Sequence, residues 1–350
     1  MISSEDIGSV VRRLTAGSVG PGWSERDMRA LVDRLGWTWV AEPDGRVRVL
    51  TGLPGGDAEL VPVDARARTY APTQAYLELV VPVSRPAPEV RPQAEEFRRV
   101  ADAVRQVCGE ATYAGAAGFH GPAGFRMDPV WGRPFLRWRQ GEVTVELRAG
   151  AAGPELVLQS SEVWESWFAL AGEGFVGVLE GERPLDHPRW EGHGTWEDLE
   201  LSLGGFLRTL AAETVATGIV QSMPLYGRLA HDNSGPLLFS ITCTDRLYVD
   251  YTEYRVPEAA SGANAAALGW TPREALPTGH LPADLDGAAP WRIDAGGPGD
   301  LQAGTAIASL IVRTARAAGV ESHSDLLLGG EAEFRHPYRI GFPGLRMTVV

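Results

Sequence analysis

The sequence predicts an α+β fold of two modules, each an antiparallel sheet packed against helices, and three observations carry that expectation. Ser24-Glu25-Arg26-Asp27 and Thr195-Trp196-Glu197-Asp198 are cap signals, and each opens an apolar pattern of helical period. Runs of strand character follow each of them, broken by glycine, proline and aspartate. Each half then closes on further helical spacing, so helices flank groups of strands instead of alternating with them.

In the first module, Met28, Leu31, Val32 and Leu35 recur at helical spacing after the Ser24 cap, and Gly36 stops the helix. Strands are expected at about Val47 to Leu53, Glu59 to Val63 and Ala75 to Val83. A long helix follows with Phe97, Val100, Ala101, Val104 and Val107 on one face, closed by Gly109. Past a glycine-rich loop from Gly115 to Gly124, Phe135 to Trp138 and Val143 to Arg148 form a hairpin across Gln140-Gly141. Glu155 to Gln159 adds a strand and Glu162 to Leu170 a short helix.

The second module repeats this order in shortened form. The Thr195 helix carries Leu199, Leu203, Phe206, Leu207 and Leu210 and is expected to run to about Val215. Gly218 to Met223, Leu237 to Thr244 and Leu247 to Tyr254 are strand-like. Ala303, Ile307, Leu310, Ile311 and Thr314 mark a closing helix, with Arg313 and Arg316 near its end and Gly319 just past it. The expected domains are residues 1–180 and 195–350, joined by a linker at 181–194 that has glycines and prolines but no hydrophobic period. Leu276 to Gly299 reads as a long loop, and Gly329 to Val350 as a segment that adds an edge strand or lies across a neighbour.

Composition narrows the function classes. With 44% hydrophobic residues over 350 positions, each module is able to bury a core. No apolar run approaches the roughly 18 to 20 residues of a membrane span, and the acidic Met1-Ile2-Ser3-Ser4-Glu5-Asp6 start lacks a basic signal region, so the expected compartment is the cytoplasm. All 32 basic residues are arginine. Up to Leu170 there are 22 acidic and 19 basic residues, and beyond it 23 and 13. The second half therefore repels phosphate backbones and suits a basic protein partner better than nucleic acid. Cys108 and Cys243 each sit in an apolar periodic segment and read as small buried hydrophobes.

The residues around Trp196, Leu199-Glu200, Leu203, Phe239 to Tyr254, Leu268-Gly269-Trp270, Pro272, Trp291, Val320 and Asp325-Leu326 make the second half resemble the TY-Chap family of type III secretion chaperone and YbjN-like proteins. The first half resembles a related uncharacterised actinobacterial family through Leu35-Gly36-Trp37-Thr38-Trp39, the Phe97 helix and the Trp138 hairpin. The resemblance implies a type III secretion chaperone-like fold and an activity of binding a client or effector protein, with no chemistry attached.

The residues themselves point the same way. Gly172-Glu173-Gly174-Phe175-Val176-Gly177 fits the dinucleotide pattern but opens no helix. No two of the seven histidines are spaced to share a metal from one helix, and His231-Asp232-Asn233-Ser234 crowds triad residue types too closely to face one another. No catalytic residue, cofactor or metal is therefore expected. Strand alternation predicts that Leu136 and Trp138 face inward while Arg137 and Arg139 form an exposed arginine face. Trp164, Trp167 and Phe168 share a helical face, either as core or as an aromatic binding patch, and Asp284 with Asp286 are alternate carboxylates in a loop. The expectation is a non-enzymatic, chaperone-like or immunity protein masking a secreted effector or toxin, with Trp164, Trp167, Arg137, Arg139, Asp284 and Asp286 as partner-contact candidates. Neither nucleic acid nor membrane is an expected partner, and the chain is expected to be a monomeric pseudo-dimer or a homodimer. The alternatives are an enzyme with a site assembled from distant loops and a structural or sensory module.

Overall fold

Ser3 accepts a hydrogen bond from the Asp6 amide (3.1 Å) and starts a helix beyond those the sequence predicts, α1 (Ser4–Thr15), in the computed structural model of the chain. Its signals are local. Glu5 and Asp6 in the first turn and Arg12 and Arg13 in the last complement the helix dipole, while Ile7, Val10, Val11 and Leu14 form one buried stripe. The described residues are 2–16, 19, 22–65, 67–85, 87–116, 131–151, 153–171, 194–229, 235–252, 265–272, 291–300, 302–329, 334–335, 338–341, 345 and 347. They divide into two compact units, Met1–Pro188 with His336–Pro343, and Arg189–Arg335 with Gly344–Val350. Of the 181–194 linker only Gly194 is among the described residues.

In the first unit the Ser24 capping box is complete, with both reciprocal bonds to Asp27 formed, and opens α2 (Glu25–Leu35). Gly36 ends that helix at φ 72, a conformation that costs glycine little and other residues more. Then come β1 (Thr38–Ala41), β2 (Val47–Leu50), β3 (Ala58–Pro62) and β4 (Tyr76–Pro82), α3 (Val90–Cys108) and β5 (Tyr113–Gly115). After them follow β6 (Phe135–Gln140), β7 (Val143–Gly150), β8 (Gly153–Ser160) and α4 (Ser161–Ala171). The sheet runs β1-β2-β3-β4-β8-β7-β6-β5, with antiparallel pairing throughout that order. A late segment, Tyr338–Gly341, joins it beside β5 in parallel, with Ile340 opposite Ala114.

One face of this sheet holds the core. Leu79, Val81, Leu136, Trp138, Val145, Leu147, Leu156 and Leu158 alternate along it and are buried, as is the α3 stripe of Phe97, Val100 and Val104. α3 packs on β8 and α1 on α3. The indole of Trp138 donates to the Gly109 carbonyl at the end of α3 (2.9 Å), so its one polar atom is satisfied inside the core.

The second unit opens on α5 (Trp196–Thr217), with the Thr195 hydroxyl accepting from the Asp198 amide (3.1 Å). β9 (Gln221–Gly227), β10 (Leu237–Cys243), β11 (Leu247–Tyr251), α6 (Ala265–Leu268), β12 (Thr271–Pro272), β13 (Trp291–Asp294), α7 (Ala303–Ala317) and β14 (Leu326–Leu328) follow. The sheet order is β12-β13-β11-β10-β9-β14, all antiparallel. Two expectations shift. Gly218 caps α5 at φ 68, which delays β9 to Gln221, and Trp291–Asp294 forms a strand inside the expected loop at 276–299. α5 and α7 cross closely because glycine lies at the contact: a Cβ on Gly304 would stand 2.6 Å from Arg208 Cα.

Trp270 is placed by a glycine that the turn requires. Gly269 takes φ 112, and the Trp270 amide returns to the Ala265 carbonyl (2.9 Å). The indole then stacks on Phe239 (5.9 Å, 20°), lies 5.3 Å from Tyr251 and donates to Thr314 Oγ1 (2.9 Å) on α7.

Both cysteines are free thiols, Cys243 buried and Cys108 half-buried. Burial pushes the Cys108 thiol up to about 11 and the Cys243 thiol from its ordinary 9.0 up to about 12. The thiolate is the nucleophile, so both should react slowly with iodoacetamide at pH 8, Cys243 the slower, until denaturant exposes them. A raised acid pKa in the folded state also means stability that is present below the unfolded value and lost as pH rises toward 12. Alkylation rates followed by mass spectrometry, with unfolding measured from pH 8 to 11, check both statements.

Candidate functional site

On its second face the first sheet buries polar side chains over β4, β8, β7 and β6. Arg137 on β6 stands opposite Glu146 on β7, and that pair lies beside Gln159 and Glu78 across β8 and β4. Arg137 Nε donates to Glu146 Oε2, and Gln159 Nε2 reaches the same oxygen at 3.5 Å. Three aromatic rings surround the guanidinium, Trp164 at 4.0 Å, Phe135 at 4.4 Å and Tyr113 at 5.4 Å. A cation held by a carboxylate and by ring faces is stabilised twice, through charge and through the ring quadrupoles.

The network continues along β7. Arg148 donates to Glu78 (3.3 Å) and to Glu155 (3.4 Å). Burial pulls the Arg148 guanidinium down, but the surrounding carboxylates of Glu78, Glu146 and Glu155 outweigh it and raise its pKa. Thr144 and Ser161 share a hydrogen bond of 2.9 Å that ties β7 to the start of α4.

This corrects the expected exposed arginine face. Arg137 is 4% exposed, although alternation does send it away from Trp138 as predicted. A strand with two covered faces buries both of its alternating sets, and polar residues on the second face then pair with one another. Arg139, further along β6, keeps 41% of its side chain exposed and pairs with Glu165 of α4 (2.7 Å). Trp164 is buried against Arg137. Trp167 lies in α4, but its side chain is outside the described residues, as are Asp284 and Asp286. Gly172 to Gly177 and His231 to Ser234 also lie outside them. The structure thus brings together Arg137, Arg139 and Trp164 of the six candidates. It adds Glu146, whose signal in the sequence is the Gln140-Gly141 hairpin that sets it opposite Arg137.

A second feature lies where the sequence suggests only a turn, at Leu35 to Trp39. β1 ends the first sheet. The Glu42 amide bonds the Arg46 carbonyl (2.8 Å), which sets the phase of the β1–β2 ladder. In an antiparallel pair that phase turns the backbone of Thr38 and Val40 toward β2 and that of Trp39 and Ala41 outward. Among the described residues no strand lies beyond β1. Beside this edge Trp39 packs edge-on against Tyr76 (6.1 Å, 83°), with the Arg29 guanidinium 4.3 Å over its ring. The Trp39 Nε1 donor is buried without a hydrogen-bond partner among the described residues. Leu50, opposite Thr38, is an exposed large apolar residue.

The second unit has its own buried pair, Arg292 to Asp250, bidentate at 2.6 and 2.8 Å across β13 and β11, with Tyr248 5.5 Å from the guanidinium. Among the described residues no group of three or more His, Cys, Asp or Glu is placed to hold a metal ion, and no helix is long and apolar enough to cross a membrane.

Neither a curated protein nor a solved structure matches the chain. Residues 21–160, which carry β1, the Arg137–Glu146 pair and their supporting helices α2 and α3, match a family of unknown function, DUF6301.

Proposed function

We propose that the chain is a non-enzymatic protein-binding protein, chaperone-like or an immunity protein, that masks a secreted effector or toxin in the cytoplasm. The observation that carries this reading is the β1 edge, beyond which no strand lies among the described residues and where the outward amides and carbonyls of Trp39 and Ala41 offer a template for an extended partner segment. Trp39, Leu50 and Arg29 beside it supply the aromatic, apolar and cationic contacts that give such an edge selectivity. The acidic excess after Leu170 supports a basic partner, drawn in faster at low salt.

Ala41→Pro tests the reading at the proposed contact. Proline removes an outward amide and leaves the β1–β2 ladder intact, a substitution that edge strands tolerate. The unfolding midpoint should therefore move by no more than about 4 °C. In affinity purification from the source cell, one partner should be enriched with the native chain and lost with Ala41→Pro. The same proteins recovered with both baits would refute capture at β1.

A further inference from the structure

The other end of the first sheet is closed differently. From β1 to β5 neighbouring strands are antiparallel, yet Tyr338–Gly341 lies beside β5 in parallel, with Arg339 opposite Tyr113, Ile340 opposite Ala114 and Gly341 opposite Gly115. It reaches β5 from a point in the sequence past the whole of α7 and β14. Parallel pairing is slightly weaker per residue than antiparallel, and this ladder has only three register pairs. β5 itself is three residues long and buried, Tyr-Ala-Gly. Behind it the sheet is firmly built, with Tyr113 near the Arg137 guanidinium and Phe135 5.2 Å away on β6. The acceptor strand β5 is therefore covered by a short segment paired to it in parallel.

We propose that the β5 edge is a second strand-binding site, held shut by the chain's own residues Tyr338–Gly341. Its occupant in trans is an extended partner segment that enters in parallel and repeats the pattern of the cis strand: a β-branched aliphatic residue opposite Ala114 and a glycine opposite Gly115. The site is independent of whatever binds β1. The tethered strand competes at an effective concentration on the order of millimolar, so a free segment with the same bonds is excluded at micromolar concentration. A partner opens the site by bringing contacts elsewhere or by drawing the cis strand away, and the edge then gains affinity without any change in β5 itself.

The test uses a labelled synthetic peptide with the sequence of residues 336–343 and the full chain in two forms, native and Arg339→Pro/Ile340→Pro. Of two consecutive strand amides one faces β5, so the double substitution removes a ladder bond whichever phase the strand adopts. Fluorescence anisotropy should show the double variant binding the peptide at least roughly tenfold more tightly than the native chain, and a scrambled peptide binding neither. Equal binding to both forms, or to neither, overturns the proposal. If the double variant does not fold, hydrogen exchange on the native chain decides. The Tyr113–Gly115 amides should exchange at least roughly tenfold faster than those of Val145 to Leu147 at the sheet centre, and equal protection overturns the proposal. Because the probe is the chain's own sequence, failure here leaves capture at β1 standing, and failure at β1 leaves this result standing.

Discussion

Glu146→Ala should destabilise the protein by about 1.5–3 kcal/mol, because it removes a charged hydrogen-bond partner of Arg137 in a site where both side chains are 5% exposed. The rings of Trp164, Phe135 and Tyr113 remain around the guanidinium and offset part of the lost carboxylate interaction. The double replacement Arg137→Met/Glu146→Leu removes both charges and keeps the volume, so it should recover most of the loss. Urea unfolding of Arg137→Met, Glu146→Leu and the double variant closes a mutant cycle. A coupling energy near zero would mean that the pair does not hold β6 to β7.

Gly304→Ala should lower the melting temperature, against the usual sign for glycine to alanine in a helix. Alanine gains about 1 kcal/mol over glycine in a helix interior, and less in the first turn, where Gly304 lies. At position 304 the new methyl would lie 2.6 Å from Arg208 Cα and 2.8 Å from the Leu207 carbonyl carbon, so α5 and α7 must move apart. Overpacking of that kind costs about 1–3 kcal/mol, and Gly304→Val costs more. Gly205→Ala on α5 is the internal control. A methyl there would meet nothing within 4 Å, so this variant should gain stability instead. Calorimetry of the three variants checks the reversal of sign, and a rise in melting temperature for Gly304→Ala would refute the close crossing.

The Ser24 and Thr195 helices, the Gln140-Gly141 hairpin and the α7 stripe are legible in the sequence because their signals are local: a cap residue three positions before its partner, a two-residue turn, a period of 3.6. The signals of α1 are just as local, in Ser3, Ile7, Val10, Val11 and Leu14, but its acidic first turn also bears on targeting, and that meaning masks the helix. β1 and β13 are four-residue strands beside turn-like sequence, too short for alternation to stand out. The burial of Arg137 has another cause. Alternation assigns a residue to a face of the sheet but says nothing about whether that face is covered, and the covering elements come from far along the chain. The same limit hides the Arg292 to Asp250 pair, whose members are 42 positions apart. The place of β1 at the end of the described sheet depends on strand order, a property of the whole sheet that no window of residues contains.

The most direct test of strand capture is a calorimetric titration of the purified partner into the native chain and into Ala41→Pro under the same salt. The dissociation constant should be at least roughly tenfold weaker for Ala41→Pro, the loss expected when one outward backbone donor and the pairing it anchors are removed from an edge-strand contact. Equal affinity for the two forms, with both folded, would contradict the claim that the partner binds by extending the sheet at Trp39 and Ala41.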